Sequence, residues 1–368
     1  MQSDKYDKSK RFDKLKESKK IARKRPTIND VAELANVSTA TVSRCLSKPE
    51  LVRPDVRTRV EASVVELGYV LDGAAKTLKT HQSKTIGVIV PTLEIGGYAS
   101  AIQAFEKTVA AEKYTAILGV SDFDADKELQ LAHNLAEKGV DGIMLIGMDS
   151  DDRLISFLEK VHIPHVNSWH FRRDSKYHWV GFDNRAAIQA ITSYVFQHGH
   201  RDVVFFVGGA EHANARTELR RQGFMDAISD YNLELSEDLI FEVPYNSKAS
   251  QLEFYRLWSL GNRPTAVVCA NDILAIGVLR ACKQIGLRVP DDISVTGFDG
   301  LDIMADLWTP ITTMAVPAKQ IGEESGNCLL NLLMDKNPKT LTELHCTLIE
   351  GGSVKSLSLI HISEPTRP

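Results

Sequence analysis

Features that mark an enzyme or a disulfide-linked protein are missing from the 368-residue sequence. Its five cysteines are odd in number, widely spaced and never in a CxxC pair, which argues against a disulfide framework and a zinc ribbon. Neither a GxxxxGK[ST] loop nor a GxGxxG turn occurs, and no Ser-His-Asp or Cys-His pair can be argued from spacing. We therefore expect no enzymatic activity and no cofactor.

Long hydrophobic runs are missing as well. The first 25 residues alternate in charge without the apolar stretch of a signal peptide, and no later run is long enough to span a membrane. The expectation is a reduced, cytoplasmic protein that has no membrane partner.

Positive charge is concentrated near the N-terminus. Residues 1–84 hold 19 Lys and Arg against 11 Asp and Glu, a balance of +8; because the chain carries −4 in total, the remainder carries −12. This split indicates a basic module joined to an acidic one, since cations near phosphates release condensed counterions. Residues 1–25 contain 11 of these cations and few large apolar side chains, which predicts a disordered basic tail that either solubilises the chain or contacts phosphates.

Residues 26–70 show the pattern of three short helices. Thr27 is placed to cap the first helix and Ser38 the second. The third is expected to begin at Pro54, since proline suits a first helical position, and to end at Gly68. The result is a small all-helical domain.

The first two of these helices have the form of a helix-turn-helix, whose second helix enters the major groove of DNA by its N-terminal end. Its short hydroxyl side chains can donate hydrogen bonds to phosphates, Arg44 can form a bidentate pair with guanine, and Thr39 and Ala40 would face base edges. An ordinary helical hairpin with a polar face is the alternative. The predicted DNA-binding residues of this domain are Thr27, Ser38, Thr39, Ala40, Thr41, Ser43 and Arg44.

The same domain contains the segments Val31-Ala-Glu-Leu-Ala35, Val37-Ser38, Thr41-Val-Ser-Arg44 and Leu67-Gly-Tyr69. With them the chain resembles the lactose/galactose repressor family, over about residues 26–353. The resemblance implies a sequence-specific transcriptional regulator, expected to repress a carbohydrate or sugar-acid utilisation operon. It also implies a homodimer on a pseudo-palindromic double-stranded operator, with a tetramer as the alternative.

The family resemblance further implies a hinge at residues 71–84 that folds on the operator and inserts a leucine into the minor groove. By position that leucine is Leu78, and separating a base step costs a few kcal/mol that the bent DNA must offset. Leu71 and Asp72 depart from the family pattern, in which proline and asparagine are usual. The implied hinge contacts are Ala75, Lys76 and Leu78.

Beyond residue 84, apolar runs alternate with amphipathic stretches, as buried parallel strands and their covering helices do. About nine strand-helix units exceed one doubly wound sheet, so two such sheets with a cleft between them are expected over residues 85–353. With the resemblance, this predicts a two-lobed α/β domain like a periplasmic binding protein. The runs are Ile86–Val90, Thr115–Leu118, Gly142–Ile146, Val203–Val207, Leu239–Val243, Ala266–Cys269 and Ile293–Thr296.

Polar residues follow several of the predicted strands, at the edge where α/β folds bind ligands. The resemblance implies a small-molecule effector here, with an effector-contacting arginine and two stacking aromatic residues; a sugar, a sugar acid and a phosphosugar all fit. The aromatics could equally be core residues, and Asn271 and the adjacent Asp272 could serve only as a helix cap. The predicted effector-binding residues are Tyr98, Trp169, Asp183, Arg220, Asn271 and Asp299.

An alternative function also fits the two-lobed fold. A solute-binding receptor for transport would share this fold but would require an export signal. Four histidines, His162, His165, His170 and His178, cluster in sequence, but their spacing follows no known ligand pattern, so no metal site is expected. Residues 354–368 fit neither the fold nor the family and resemble a translated sequencing adapter; we expect an unstructured tail without function.

Overall fold

A computed structural model of the chain describes residues 26–70, 82–94, 96–147, 152–170, 172–173, 175–208, 215–234 and 237–357. The chain divides into two compact units between His81 and Gln82. The predicted basic tail, the hinge contacts Ala75, Lys76 and Leu78, and residues 358–368 lie outside the described residues.

The N-terminal unit consists of three α-helices. Its small core is formed by the inward faces of these helices, where Val31, Val42 and Val60 are completely buried. The helices are α1 (Ile28–Leu34), α2 (Thr39–Ser47) and α3 (Pro54–Leu67), with a 3₁₀ turn at Pro49–Leu51 between α2 and α3.

Local sequence signals define the ends of these helices. Thr27 and Asp30 form a capping box, in which the Thr27 amide donates to Asp30 Oδ2 at 2.6 Å. Ser38 Oγ accepts from the Thr41 amide at 3.2 Å, and α3 ends at Gly68 in the left-handed conformation (φ 62°). The predicted helix starts and stops are therefore confirmed, because caps of this kind satisfy backbone groups within a few residues.

The C-terminal unit contains two six-stranded sheets, which confirms the predicted fold class. We refer to them as lobe 1, with strand order β11-β5-β4-β3-β1-β2, and lobe 2, with order β12-β10-β9-β8-β6-β7. The strands are β1 (Thr85–Val90), β2 (Thr115–Val120), β3 (Gly142–Ile146), β4 (His165–Ser168), β5 (His178–Phe182), β6 (Val203–Gly208), β7 (Ile240–Val243), β8 (Ala266–Cys269), β9 (Ser294–Asp299), β10 (Thr312–Ala315), β11 (Leu341–Leu344) and β12 (Thr347–Ile349).

Helices cover both faces of each sheet. In lobe 1, α4 and α11 pack together on one face and α5 and α6 cover the other; in lobe 2, α7 and α8 form one layer and α9 and α10 the other. The helices are α4 (Gly96–Ala111), α5 (Ala125–Glu137), α6 (Asp152–Lys160), α7 (Asn184–Gln197), α8 (Ala215–Asp230), α9 (Ser247–Ser259), α10 (Asp272–Gln284) and α11 (Ala318–Leu333). Short 3₁₀ turns occur at Glu237–Leu239 and Asp302–Met304.

The buried strands explain the continuous apolar runs of the sequence. In β1, Ile86 and Val88 face the layer of α4 and α11 while Ile89 faces α5 and α6, because successive side chains of a strand point to opposite faces. Lobe 2 repeats this alternation, with Phe205 and Phe206 of β6 in different cores. One core cluster runs through both lobes, so the lobes share buried apolar surface.

All seven predicted runs are strands, and five further strands are not among them: β4, β5, β10, β11 and β12. β10, β11 and β12 have three or four residues each and mix polar with apolar side chains. β12 pairs antiparallel with β10, whereas the other strand pairs are parallel. Lobe 2 is therefore a mixed sheet, although the sequence predicted a parallel one. These strands arise because the chain passes between the lobes after β5, after β10 and again after β11.

Lobe 2 extends beyond the domain boundary expected from the sequence. Lys355 donates its amide to Ser294 Oγ at 3.2 Å and accepts from His200 Nε2 at 3.0 Å, and the Leu357 amide donates to His198 O at 2.7 Å. Residues 354–357 therefore belong to the folded domain, which corrects the expected tail boundary. Within the described part of the chain, every helix is too short or too polar to span a bilayer.

Candidate functional site

The N-terminal end of α2 presents the predicted DNA-contacting residues at the protein surface. Thr39, Ala40, Ser43 and Arg44 are exposed, while Val42 and Cys45 on the opposite face are buried. Among the described residues, no carboxylate lies within ion-pair distance of Arg44. Its guanidinium is therefore available for a planar acceptor such as a guanine edge.

Three of the predicted phosphate contacts also have structural roles. The Thr27 hydroxyl donates to Asp30 Oδ2 at 2.8 Å, and Ser38 Oγ and Thr41 Oγ1 lie 2.9 Å apart. Their oxygens take part in capping α1 and α2, so any contact to DNA would add to that role. Arg53 does not cap α3; its guanidinium pairs with Asp55 at 3.1 Å in an exposed ion pair, which contributes little to stability.

The folded three-helix unit itself is not basic. Residues 26–70 hold five Lys and Arg against six Asp and Glu, a balance of −1. The excess of positive charge in the first 84 residues consequently belongs to residues 1–25, with +7, and to residues 71–84, with +2. Within the helical unit, favourable contacts to phosphates must come from individual side chains rather than from a general positive field.

The second candidate site is a cavity between the two lobes. Its volume is about 20 Å³, which is room for about one water molecule. The residues around it follow the carboxyl ends of strands in both sheets, as expected for α/β folds. They are Tyr98, Phe123 and Trp169 of lobe 1 and Arg216, Arg220, Tyr245, Asn271 and Asp299 of lobe 2.

Five of the six predicted effector residues line this cavity: Tyr98, Trp169, Arg220, Asn271 and Asp299. The sixth, Asp183, does not. Its carboxylate accepts from the Ala186 amide at 3.0 Å and caps α7, so its placement corrects the prediction. The next residue, Asn184, is completely buried and accepts from the cavity residue Arg220.

Three cavity residues were not predicted: Arg216, Phe123 and Tyr245. Arg216 comes four residues before Arg220 on α8, so the spacing of one helical turn was an available signal. Phe123 and Tyr245 follow β2 and β7, where nothing in the local sequence distinguishes them from other loop aromatics.

Strained backbone marks this site. Phe123, Trp169 and Asp299 have positive φ angles of 60°, 77° and 106° although none is glycine. Such conformations are uncommon for large side chains and persist only where the surrounding structure enforces them, which occurs often at ligand sites. Trp169 and Asp299 hold equivalent positions in the two lobes, at the carboxyl ends of β4 and β9.

The aromatic wall of the cavity comes from lobe 1. The Tyr98 and Trp169 ring centroids lie 4.6 Å apart in an edge-to-face arrangement, and each residue is 1% exposed. They are thus core residues that also line the cavity. Burial raises the pKa of Tyr98, so its hydroxyl stays protonated at neutral pH.

Arg220 organises the lobe 2 side. Its Nε donates to Asn184 Oδ1 at 2.9 Å, its Nη1 donates to Ala270 O at 2.6 Å, and its Nη2 lies 4.0 Å from Asp299 Oδ1. The guanidinium carbon also lies 4.1 Å from the centre of the Phe298 ring. These contacts fix the direction of the side chain at the cavity edge.

Two carboxyl groups lie close to this network. Burial raises the pKa of Asp299 to about 6, although Arg220 and Arg216 act in the opposite direction. Burial and the neighbouring Asp299 raise the pKa of Asp272 to about 7, while hydrogen bonds from the Leu301 amide and the Thr313 hydroxyl oppose that rise. Asn271 caps α10 by accepting from the Leu274 amide at 2.8 Å and also lines the cavity.

The clustered histidines lie on and around β4 and β5. His165 is buried, which lowers its pKa, and His178 Nδ1 lies 3.1 Å from Lys339 O. Within the described ranges, no group of three or more His, Cys, Asp or Glu side chains is arranged to hold a metal ion.

A helix-turn-helix with an exposed second helix, followed by a two-lobed domain with a cavity between the lobes, defines a ligand-responsive DNA-binding regulator. Residues 27–72 match the model of the bacterial regulatory proteins of the lacI family, and residues 192–354 match that of the periplasmic binding protein-like domain. Solved structures share the fold. The lac repressor dimer bound to operator and the anti-inducer ONPF has a TM-score of 0.80 at 24% identity, covering 90% of this chain and all of the other.

Two further relatives extend the comparison. The HTH-type transcriptional repressor PurR of Klebsiella pneumoniae (strain 342) is 32% identical over 331 residues, 89% of this chain and 96% of that protein. The transcription regulator GntR from Chromobacterium violaceum has a TM-score of 0.70 at 26% identity, covering 73% of this chain and 98% of the other. The chain belongs to the lacI family of bacterial regulatory proteins. It is a DNA-binding transcriptional repressor of that type and not an enzyme.

Proposed function

We propose that the protein represses its target genes as a homodimer whose operator affinity is set by a small molecule bound between the lobes. The observation that carries this proposal is the interlobe cavity. Charged, amide and aromatic side chains from both lobes line it, and three of the lining residues have positive φ angles. A ligand that contacts both lobes has different affinities for their open and closed arrangements, and that difference is what changes the affinity for DNA. The lac repressor, solved as a dimer on operator, has the same fold.

On the DNA side, we propose that Thr39, Ala40 and Arg44 contact base edges and that Thr27, Ser38, Thr41 and Ser43 contact phosphates. Each of these positions lies at the N-terminal end of α1 or on α2 and its cap. Residues 71–84 are proposed to act as the hinge, with Ala75, Lys76 and Leu78 contacting the minor groove. A repressor of this kind acts where the chromosome lies, in the cytoplasm.

On the effector side, we propose that Tyr98 and Trp169 stack on the ligand while Arg220, Asn271 and Asp299 hydrogen-bond to its polar groups. The aromatic residues form an apolar side of the cavity and the charged and amide residues form a polar side. This arrangement suits a polyhydroxylated ring or chain, because its C–H groups can contact the apolar side and its hydroxyl groups the polar side. The regulated genes would then be those for uptake and use of a carbohydrate or sugar acid. Repression is the default state, and the effector relieves it.

The test is fluorescence anisotropy with the full-length protein on a DNA fragment selected from the source genome by binding. The wild-type protein is expected to bind tightly, and its affinity should change when a cognate small molecule is added. Leu78→Ala should weaken operator binding about tenfold or more, because the bent complex loses its wedge, while ligand-induced thermal stabilisation stays the same. Absence of DNA binding under every ligand condition would reject the proposal.

A further inference from the structure

The folded helical unit has few cations for the phosphates of DNA. Residues 26–70 contain five Lys and Arg, and exposed ion pairs join two of these to carboxylates: Arg53 Nε lies 3.1 Å from Asp55 Oδ1, and Arg57 Nε lies 2.6 Å from Glu61 Oε1. Within the described part of the chain, the exposed cations without an ion pair are Arg44, Lys48 and Arg59. Since Arg44 is proposed to bind a base edge, two cations remain for phosphates.

The six carboxylates of the helical unit reduce this attraction further, because they give residues 26–70 a balance of −1. Most of the sequence-independent affinity of a protein for duplex DNA comes from cations near phosphates, which release condensed counterions. The helical unit alone is therefore expected to bind random DNA weakly.

The positive charge that the unit lacks lies directly before it in the chain. Residues 18–25 hold five Lys and Arg and no Asp or Glu, whereas residues 1–17 hold six Lys and Arg against four Asp and Glu. We refer to residues 18–25 as the basic segment; it lies outside the described residues. Its charge of +5 is thus the most concentrated positive charge at this end of the sequence.

The basic segment joins the helical unit at its proposed DNA-contacting side. Its last residue, Arg25, is two positions before Thr27, the N-cap of α1 and a proposed phosphate contact. A chain of this length can span up to about 27 Å, and duplex DNA carries one negative charge per about 1.7 Å of its axis. Several phosphates are therefore within reach of these cations when Thr27 lies at the duplex.

We propose that the basic segment binds phosphates beside the operator, given the position of Thr27 proposed above, and supplies the sequence-independent affinity for double-stranded DNA that the helical unit lacks. The two parts then divide the recognition of DNA between them. The exposed side chains of α2 distinguish base edges, while the basic segment holds the protein on any duplex, because phosphate contacts carry no sequence information.

The acidic C-terminal unit is the competing partner for the basic segment. Residues 85–368 carry −12, so an attraction within the protein would also bring opposite charges together. That charge is distributed over a whole folded unit, however, whereas the phosphates of DNA follow one another along two strands. The density of negative charge therefore favours DNA.

The test is fluorescence anisotropy of the full-length protein on random-sequence duplex DNA, at salt concentrations from about 50 to about 200 mM. A variant without the charge of the basic segment should lose about tenfold or more in affinity at the lowest salt. Its logarithmic dependence of affinity on salt should be shallower by about 2 or more, because fewer counterions are released. The substitutions are Lys19→Gln, Lys20→Gln, Arg23→Gln, Lys24→Gln and Arg25→Gln.

The operator fragment provides a second measurement on the same variant. Its affinity should fall by the same factor as that for random DNA, so that the ratio of the two is kept. The variant should fold as the wild type does, because the core and caps of the helical unit are formed by residues from Thr27 onwards.

A control variant loses the same five charges from exposed positions of the C-terminal unit. Its affinity and salt dependence should equal those of the wild type, because charges further from the duplex than about 10 Å are screened at 0.1 M salt. The control substitutions are Lys248→Gln, Arg256→Gln, Arg263→Gln, Arg288→Gln and Lys319→Gln.

Three results would overturn the proposal. An unchanged salt dependence in the basic-segment variant would show that these cations do not contact phosphates and would leave a solubilising role. Equal losses in both variants would show that only the total charge of the protein matters. Tighter DNA binding by the basic-segment variant would show that the segment binds the acidic C-terminal unit instead.

Discussion

The two candidate sites of this repressor are constructed in opposite ways. The proposed DNA-contacting surface consists of exposed and half-buried side chains from one segment of 18 residues, Thr27 to Arg44. The interlobe cavity consists of buried side chains that lie as far apart in the sequence as Tyr98 and Asp299.

This difference has energetic consequences. The exposed residues remain solvated in the free protein, so the free-energy cost of ordering and desolvating them arises only when DNA binds. The helical unit is therefore stabilised mainly by its helix caps and its small core. In the cavity, the desolvation of Arg220 and Asp299 has already been incurred on folding, as the raised pKa of Asp299 indicates. Changes in the cavity should therefore alter stability and ligand binding together, whereas changes at the exposed Thr39, Ala40, Ser43 and Arg44 should alter DNA binding alone.

The largest effect should come from the packing of lobe 1. A Cβ at Gly322 of α11 would lie 2.1 Å from the Ala101 carbonyl oxygen of α4, so Gly322→Ala must push two helices apart. We expect about 3 kcal/mol of destabilisation, measured by denaturant unfolding. Gly352→Ala is the control, since its nearest atom is 3.9 Å away. Equal stability of the two variants would contradict the tight packing of these helices.

The next effect concerns the buried carboxyl group of Asp272. Its pKa is about 7 in the folded protein against 3.8 as the ordinary value, so below about pH 4 the group is neutral in both states and costs nothing. As pH rises towards 7 the unfolded state ionises first, and folding loses about 1.4 kcal/mol for each pH unit between the two pKa values, a loss that is not regained at higher pH. Thermal melts should show Asp272→Asn increasingly more stable than wild type from pH 4 to pH 8.

Asn at position 272 can keep both hydrogen bonds, because the Thr313 hydroxyl can accept as well as donate. The exposed Asp306→Asn provides the control and should follow the wild-type pH profile. Parallel profiles for Asp272→Asn and wild type would show that the buried carboxyl group does not set this dependence.

On the DNA side, Arg44→Ala should reduce operator affinity about tenfold to hundredfold, the usual contribution of a bidentate contact to guanine. Thermal stability and effector affinity should not change, because the side chain is exposed on a different unit from the cavity. Anisotropy on operator and on random DNA checks this. Arg59→Ala, also exposed, removes the same charge from α3 and should leave the ratio of operator to random affinity unchanged.

The smallest effect should come from the cap of α2. Ser38→Ala removes the oxygen that accepts from the Thr41 amide and should destabilise the helical unit by about 1 kcal/mol. Ser38→Asn should restore most of that loss, since asparagine also caps well. Far-UV circular dichroism during heating distinguishes the two. An alanine variant as stable as wild type would mean that tertiary packing, and not the cap, holds the start of α2.

Much of the fold could be predicted because its signals are local. Helix caps at Thr27 and Ser38 and the stop at Gly68 depend on backbone groups within a few residues. The strands β1, β3 and β6 are buried on both faces, so their apolar runs can be recognised without knowing which strands lie beside them. The strand β12, by contrast, exists only because β10 lies beside it, and its residues carry no strand pattern of their own.

The sequence by itself determined the helical unit, the two sheets, and Asn271 and Asp299 at strand ends, because hydrophobic periodicity, capping and strand ends depend on adjacent residues. The family resemblance supplied Tyr98, Trp169 and Arg220. Only the tertiary structure decided that Asp183 caps a helix, that residues 354–357 bond to lobe 2, and that Arg216 reaches Tyr98 across the cleft. The physical reason is the same in each case. These roles depend on the distance between side chains on different elements, and packing sets that distance.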